Sequence, residues 1–364
     1  MIRIPVTAPS RSYEVLIESG SLERSGESLS SFVGGRRAFI VTVPPVRKPW
    51  ANVLVRSLAE ANVKSEVLVM PDGESAKRLS TLEKLAEQLV KAGADRGTIL
   101  IALGGGVACD VTGFLASVYM RGVDVIQIPT TVLAQVDAAI GGKTGVNLLA
   151  GKNLIGTFHQ PRVVLIDPAV LKTLSPREYR AGLYESLKAG IIGEPSLFRL
   201  FEEKHKEILA RDPEILERVI ADSVRLKASV VSSDERESGL RQVLNLGHTI
   251  GHALEAETGY KLLLHGEAVG WGLVAATYIA LSTGRLDSVT AGRIMNAVLG
   301  LGELPPLNVK IPNILNRLKF DKKTRQGVVH FILPREIGKV EITSDVTESD
   351  VRSALEEMRK LTRH

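Results

Sequence analysis

At 364 residues the chain is long enough for two domains, each with its own core. Its 44% hydrophobic and 24% charged residues are those of a soluble globular protein, and one cysteine excludes a disulfide framework and fits a reducing, cytoplasmic compartment. A net charge of +5 suits a plain solvated surface or an anionic small-molecule substrate; aromatics at 4%, with no basic run among them, offer no platform for nucleic acid.

The opening residues MIRIPVTAPSRSYEV carry no apolar signal core, and Tyr13–Glu18 reads as an edge strand. Short β-branched runs follow at Arg37–Val43, Glu66–Met70, Thr98–Leu103, Val123–Ile128 and Val163–Ile166. Amphipathic stretches separate them, such as Ser80–Lys91, where Leu82, Leu85, Leu89 and Val90 share a face. Strand and helix in alternation predict an α/β fold: a Rossmann-like parallel-sheet domain over 1–167. From Pro168 the texture changes. Helices are expected from Ser175-Pro176 through Lys188 and at Glu194–Leu209, Pro213–Val231 and Thr249–Glu257, with strands only at Val328–Leu333 and Lys339–Ile342. A mainly α-helical domain over 168–364 follows, and the cleft between the two halves is the expected place for a site. The longest nearly apolar stretch, Ala268–Leu281, falls short of the roughly 18–20 residues that span a bilayer, so no membrane partner is expected.

Three segments suggest ligands. ALGGGVACD places Gly104, Gly105 and Gly106 between a strand and a helix, which suits either a tight turn or a backbone cradle for a pyrophosphate. DAAIGGKTGVN resembles a nucleotide-triphosphate loop, but Asp137 stands where that loop needs glycine and would repel phosphates, so an ATPase reading is disfavoured. Lys143 in that run and Lys152 in AGKNLIG are either solvated turn lysines or an anion site. In LNLGHTIGHALEAETGYKLLLHGEAV, His248 and His252 stand at i, i+4 on one helix face, and His265 follows. Spacing alone would pick the first two as metal ligands. Thr249 occupies the position of a peptidase glutamate, so that reading fails, and Glu185 in AGLYESLKAG could supply a carboxylate.

Taken together, PDGESAK, ALGGGVACDVTGFLASVYMRG, IPTTVLAQVDAAIGGKTGVN, GKNLIGTFHQP, EYRAGLYESLKAG, DERESGLRQVLNLGHTIGHALE, LHGEAVGWG and FDKKTRQG resemble the 3-dehydroquinate synthase family, over nearly the whole chain. That resemblance implies an NAD- and metal-dependent cyclase, with zinc or cobalt, acting on the anionic sugar phosphate 3-deoxy-D-arabino-heptulosonate 7-phosphate. It implies Glu185, His248 and His265 as metal ligands, with His252 facing the substrate instead. It implies NAD contacts from Asp72, Glu74 and Lys77, from Gly104, Gly105, Gly106, Val107 and Asp110, and from Thr130 and Thr131, with Lys143 and Lys152 alongside. The substrate phosphate is expected near Lys143, Asn153, His252 and Lys322, with Arg121 reaching it from the other subunit of a homodimer. Lys227, Arg241 and Asn245 are expected at the carboxylate, and Asp137, Lys152, Lys188 and Glu237 at the hydroxyls and metal.

One run departs from the pattern. Where the family usually has Thr-Asp-x-Asn-Val after the first strand, this chain has Thr42-Val43-Pro44-Pro45-Val46, which loses two polar adenosine contacts and predicts weaker NAD binding. The competing readings are another sugar-phosphate cyclase, for a substrate without a carboxylate, and a metal-dependent polyol dehydrogenase, which needs no phosphate-binding lysines. A non-catalytic nucleotide-binding regulator would have no use for Glu185, His248 and His265 together.

Overall fold

The β-branched runs pair into a seven-stranded sheet in a computed structural model that describes residues 1–324 and 329–361, without side chains for 320–324. Its strands are β1 (Ile2–Thr7), β2 (Ser12–Ile17), β3 (Ala38–Thr42), β4 (Ser65–Val69), β5 (Ile99–Gly104), β6 (Asp124–Pro129) and, after a separate hairpin of β7 (Lys143–Leu148) and β8 (Gly151–Phe158), β9 (Val163–Ile166). The order is β1-β2-β9-β6-β5-β3-β4, parallel throughout except where β1 runs against β2.

The helices of this part are α1 (Ser25–Val33), α2 (Asn52–Glu60), α3 (Leu79–Lys91) and α4 (Gly106–Val118). Alternation along each strand sends side chains to both covered faces. Ile40, Ile101 and Leu165 pack with Leu29, Leu54 and Leu58 on one side. Phe39, Val41 and Leu100 pack with Leu85, Leu89, Val111 and Leu115 on the other.

Two features depart from the sequence reading. β2, expected at the edge, is the second strand, because β1 lies outside it. β1 buries Ile4 and Val6 and exposes Arg3 and Pro5, and an edge is where a strand tolerates a proline without an N–H. The β7–β8 hairpin was read as glycine loops. Its strands are held so close that a Cβ on Gly156 would lie 2.0 Å from the Thr144 carbonyl oxygen, and the small residues this demands hide the strand pattern.

The remaining helices are α5 (Pro176–Ile192), α6 (Pro195–Glu203), α7 (His205–Leu209), α8 (Pro213–Ser233), α9 (His248–Glu257), α10 (His265–Ser282), α11 (Ser288–Gly300), α12 (Ile311–Thr324) and α13 (Glu348–Leu361), with a two-stranded ribbon of β10 (Phe331–Glu336) and β11 (Lys339–Thr343). Val328, expected to begin the first of these strands, lies outside the described residues. The apolar stretch from Ala268 forms α10, buried on nearly every side by α5, α9, α11, α13 and β10. Among the described residues no helix is long and apolar enough to cross a membrane.

The chain forms two compact units: 1–175 with 216–236, and 176–215 with 237–364. Most of α8 therefore belongs with the sheet, and its polar residues show why. Ser232 Oγ accepts from the Thr7 amide at 2.9 Å and Glu217 from the Ser19 amide at 3.1 Å. Glu235, just beyond the helix, accepts from the Ser10 amide and from Gln160 Nε2 at 2.8 Å.

Asp124, which opens β6, ties the sheet's covering segments together. It accepts from Arg11 before β2 at 2.8 Å and from Arg36 after α1 at 2.7 Å. Burial by itself would raise this carboxyl, but the two guanidiniums hold it below its ordinary value. A depressed pKa gives stability that is present above the unfolded value near 3.9 and lost as pH falls through the folded one. Asp124→Asn is therefore expected to cost about 1.5–3 kcal/mol at pH 7. Urea unfolding checks this, and the gap between the two proteins should close as the titration is repeated below about pH 4.

Candidate functional site

In the second unit, α5, α9 and α10 bring three donors to one point. Glu185 stands mid-way along α5 with its side chain 1% exposed. His248 is the first residue of α9 and His265 the first of α10. Their Nε2 atoms lie 3.6 Å and 3.4 Å from the same Glu185 oxygen, Oε1, while Lys188, one turn along α5, sets its ammonium against Oε2.

Glycines allow this convergence. A Cβ on Gly266 would sit 1.8 Å from the Ala181 carbonyl oxygen, so only glycine lets α10 approach α5 immediately after His265. A Cβ on Gly272 would meet the Gly247 carbonyl oxygen at the same distance, and Gly247 itself has φ +79°, the left-handed turn that starts α9 at His248. The start of α10 is fixed further by Glu267, which accepts from the Leu264 amide at 2.8 Å and is gripped by the Arg177 guanidinium at 2.6 and 2.8 Å.

The donors suit a divalent metal. Their ligand atoms lie within 4.8 Å of one another. His248 Nδ1 faces the Leu246 carbonyl at 3.2 Å and His265 Nδ1 faces Glu255 Oε2 at 3.3 Å, which leaves both Nε2 atoms turned toward Glu185. Neither Glu185 oxygen has a well-formed hydrogen bond, despite the charges around it. Burial would raise the Glu185 carboxyl, but Lys188, then His248 and His265, keep it well below the usual range and therefore anionic. Burial, followed by the Lys188 charge, holds His248 below its ordinary value, in the neutral form that ligates. For His265 burial acts downward too, but Glu185 and Glu255 outweigh it and raise the ring to about 10, so an arriving cation must displace that proton.

His252, the helical partner that spacing favours, is exposed, and it groups instead with Glu255 and His265. The Leu240–Asn245 turn carries Arg241, 1% exposed, and Asn245, whose amide donates to Glu237 Oε1 at 2.9 Å. Lys322 falls where side chains lie outside the described residues.

In the first unit, β5 ends at Gly104 and α4 begins at Gly106. Thr130 donates its amide to the Gly104 carbonyl at 2.9 Å, and a Cβ on Gly105 would touch Thr131 Cγ2 at 3.0 Å. No side chain caps the helix, so its first-turn amides, including that of half-buried Val107, remain available to an anion. Beside this turn lies a charged cluster. Lys77, 4% exposed, donates to Asp110 and to Asn153, and burial, which would lower its pKa, is outweighed by Asp110. Asn153, at φ 55°, donates its backbone amide to the Asn147 side-chain oxygen at 2.8 Å, and Asn147 donates to Glu74 at 2.7 Å. Lys152 lies 4.0 Å from Glu74. The sequence reading left Asn147 out, because its role depends on the hairpin that folds β8 back against β7.

Lys227 of α8 bonds both the carboxylate and the carbonyl of Asp137. Asp72 and Lys143 are exposed, the latter at the start of β7. Arg121 is exposed in a turn where Met120, Arg121 and Gly122 all have positive φ (49°, 69° and 119°). Val43 is 5% exposed within the apolar cluster, so a carboxylate could not be restored there without burying a charge, whereas Pro45 is exposed.

Two family models match consecutive parts of this chain: one described as 3-dehydroquinate synthase N-terminal over residues 67–181, the other as 3-dehydroquinate synthase C-terminal over 182–324. The chain belongs to the 3-dehydroquinate synthase family. It is 54% identical to the 3-dehydroquinate synthase of Koribacter versatilis (strain Ellin345), over 100% of this chain and 99% of that one. Its fold matches that of ValA, the 2-epi-5-epi-valiolone synthase of Streptomyces hygroscopicus subsp. jinggangensis 5008 solved with NAD+ and Zn2+ bound: TM-score 0.89, 30% identity, 96% of this chain and 98% of that one. A 2-deoxy-scyllo-inosose synthase complexed with carbaglucose-6-phosphate, NAD+ and Co2+ follows at TM-score 0.86 and 26% identity, with 99% of both chains covered.

The glycine contacts yield a test of how the donor group is held. Gly266→Ala is expected to destabilise the protein by about 1–3 kcal/mol, because the methyl must displace the Ala181 backbone. Gly292→Ala, in α11 with open space around its Cβ, should instead gain about 0.5–1 kcal/mol. Denaturant melts of the two variants beside the parent protein decide it, and equal effects would discount the close packing.

Proposed function

We propose that this chain converts 3-deoxy-D-arabino-heptulosonate 7-phosphate to 3-dehydroquinate and phosphate. The observation that carries the reading is the buried Glu185–His248–His265 group, in a chain whose relatives at 42–54% identity are 3-dehydroquinate synthases over their full length. The family reaction oxidises the C5 hydroxyl, eliminates phosphate, reduces the ketone again and closes the ring by an aldol step. When bound, NAD supplies a hydride acceptor that returns its hydride within the turnover, and zinc or cobalt supplies Lewis acidity at neighbouring oxygens.

The residues of the first unit fit the dinucleotide and the phosphate. Gly104, Gly105, Gly106 and the open start of α4 receive the pyrophosphate, with Asp72, Glu74, Lys77, Val107, Asp110, Thr130 and Thr131 around it. Lys143, Lys152 and Asn153 present cationic and amide groups to the substrate, and Asp137 with Lys227 orients its oxygens. In the second unit Glu185, His248 and His265 hold the metal, and Lys188 and Glu237 line it. His252 is exposed and lies outside the Glu185–His248–His265 donor set, its ring edge-on to His248 at 5.1 Å between centroids, so it can hold or pass a proton at the departing phosphate. The fork of Arg241 and the amide of Asn245 suit the substrate carboxylate. That pair favours this substrate over one without a carboxylate, the class that a related cyclase would take. A panel of sugar phosphates assayed for phosphate release, with absorbance followed for NADH, separates these readings. Steady NADH accumulation would turn the assignment toward a dehydrogenase.

Glu185→Gln, His248→Ala and His265→Ala are each expected to lose bound zinc and turnover together, since three ligands leave no redundancy. His252→Ala should keep zinc while phosphate release falls. Metal analysis of the four purified proteins checks both halves, and zinc loss in the His252 variant would restore the spacing-based choice of ligands.

We further read the protein as a cytoplasmic homodimer in which Arg121 serves the neighbouring subunit. Val118 and Met120 (45% and 40% exposed) flank the turn, and Phe158 (42%) lies beside His159, whose ring bonds the Val123 carbonyl just beyond it. Apolar exposure at that position suits burial against a second copy. Inactive Arg121→Ala mixed with inactive His265→Ala should regain activity, because a mixed dimer holds one site with intact ligands and the partner's arginine. Mixed dimers seen by native mass spectrometry that stay inactive would refute action in trans.

A further inference from the structure

His265 and His248 share a geometry but not an environment. The His248 side chain is 11% exposed and that of His265 28% exposed, so packing holds the second ring less firmly. Their Nδ1 atoms also face different acceptors: a neutral backbone carbonyl, Leu246, for His248, and the Glu255 carboxylate for His265. Glu255 is 2% exposed on α9, and burying a carboxylate there is costly without a charged or donating partner. Its Oε2 lies 3.3 Å from His265 Nδ1, while Nε2 of the same ring lies 3.4 Å from Glu185 Oε1. One imidazole thus spans two buried carboxylates, one on each nitrogen.

We propose that Glu255 is a positioning residue for His265: its carboxylate accepts the Nδ1 hydrogen and fixes the tautomer whose Nε2 lone pair meets the metal. The inference rests on the metal-site reading above. It separates two roles that side-chain grouping leaves mixed, because His252, Glu255 and His265 also lie close enough to hold an ion among themselves. In that second grouping Glu255 would be a ligand. In the arrangement inferred here it never touches the metal, and it acts through the ring by orienting it and by increasing the electron density at Nε2. The carbonyl facing His248 does the first of these and less of the second.

The test uses full-length protein and zinc alone. Glu255→Gln keeps the shape of the side chain but removes its charge, and its zinc dissociation constant, read by competition with a chelating dye, should rise by about 10- to 100-fold. The melting temperature of the zinc-free variant should stay close to that of the zinc-free parent, which a merely structural role would not allow. Glu255→Asp, with the carboxylate retained, should recover part of the affinity. Nitrogen-15 spectra of zinc-loaded wild type should show His265 protonated at Nδ1 and bound through Nε2, a measurement that needs no variant to fold. Zinc affinity in Glu255→Gln within threefold of wild type overturns the inference, as does a His265 ring bound through Nδ1. Complete zinc loss in both Glu255→Gln and His252→Ala would make Glu255 a ligand, and also overturns it. The parent reading fails separately, if Glu185→Gln binds zinc as well as wild type does.

Discussion

A carboxylate kept ionised out of water governs the second unit. Glu185 is anionic although burial opposes it, because the Lys188 ammonium and two imidazoles stand around its oxygens. The helices carrying these groups must approach until their backbones touch, and the glycines at 247, 266 and 272 are what that approach requires. The almost wholly buried α10 supplies the burial that holds the arrangement shut, while the Arg177–Glu267 pair fixes the turn at which His265 enters. Site chemistry and core packing are here one problem. A larger side chain at the contact disturbs both.

The first unit handles its buried charge differently. Lys77 is enclosed with an acid and an amide, Asp110 and Asn153, so the cation is matched by one full charge and one dipole. Asn153 reaches it only because the hairpin folds β8 against β7, and Asn147 then pins both the Asn153 amide and Glu74. A small polar network thus couples the position of the hairpin to the residues beside the glycine turn. In the second unit the donors come from three helices with rigid backbones, which suits a metal's demand for fixed geometry. In the first they come from a turn and a hairpin, which suits an extended ligand held by many weaker contacts.

The departure at Val43 and Pro45 shows how structure alters the meaning of a sequence difference. As residue types, both lose hydrogen bonds to an adenosine. In the fold they are unlike: Val43 fills the apolar cluster beneath the sheet, and Pro45 is exposed. The first substitution is bound up with packing, and only the second stands open to adjustment without burying a charge.

What the sequence determined by itself was whatever repeats along the chain. Short β-branched runs marked β3, β4, β5, β6 and β9, an amphipathic period marked α3, and ordered motifs marked the family. Residues whose pattern is suppressed by their surroundings were not legible. α10 is buried on nearly all sides and shows no periodicity, β7 and β8 need glycines where strands usually carry bulk, and the edge strand β1 contains a proline. Among the histidines, spacing paired His248 with His252. The family motifs implied Glu185 with His248 and His265 instead, and the tertiary structure supplies the cause, because that grouping depends on where three helices meet and not on distance along the chain. It also decided that Glu255 faces the far nitrogen of His265 and that most of α8 belongs with the sheet, since both follow from how separate elements pack against one another.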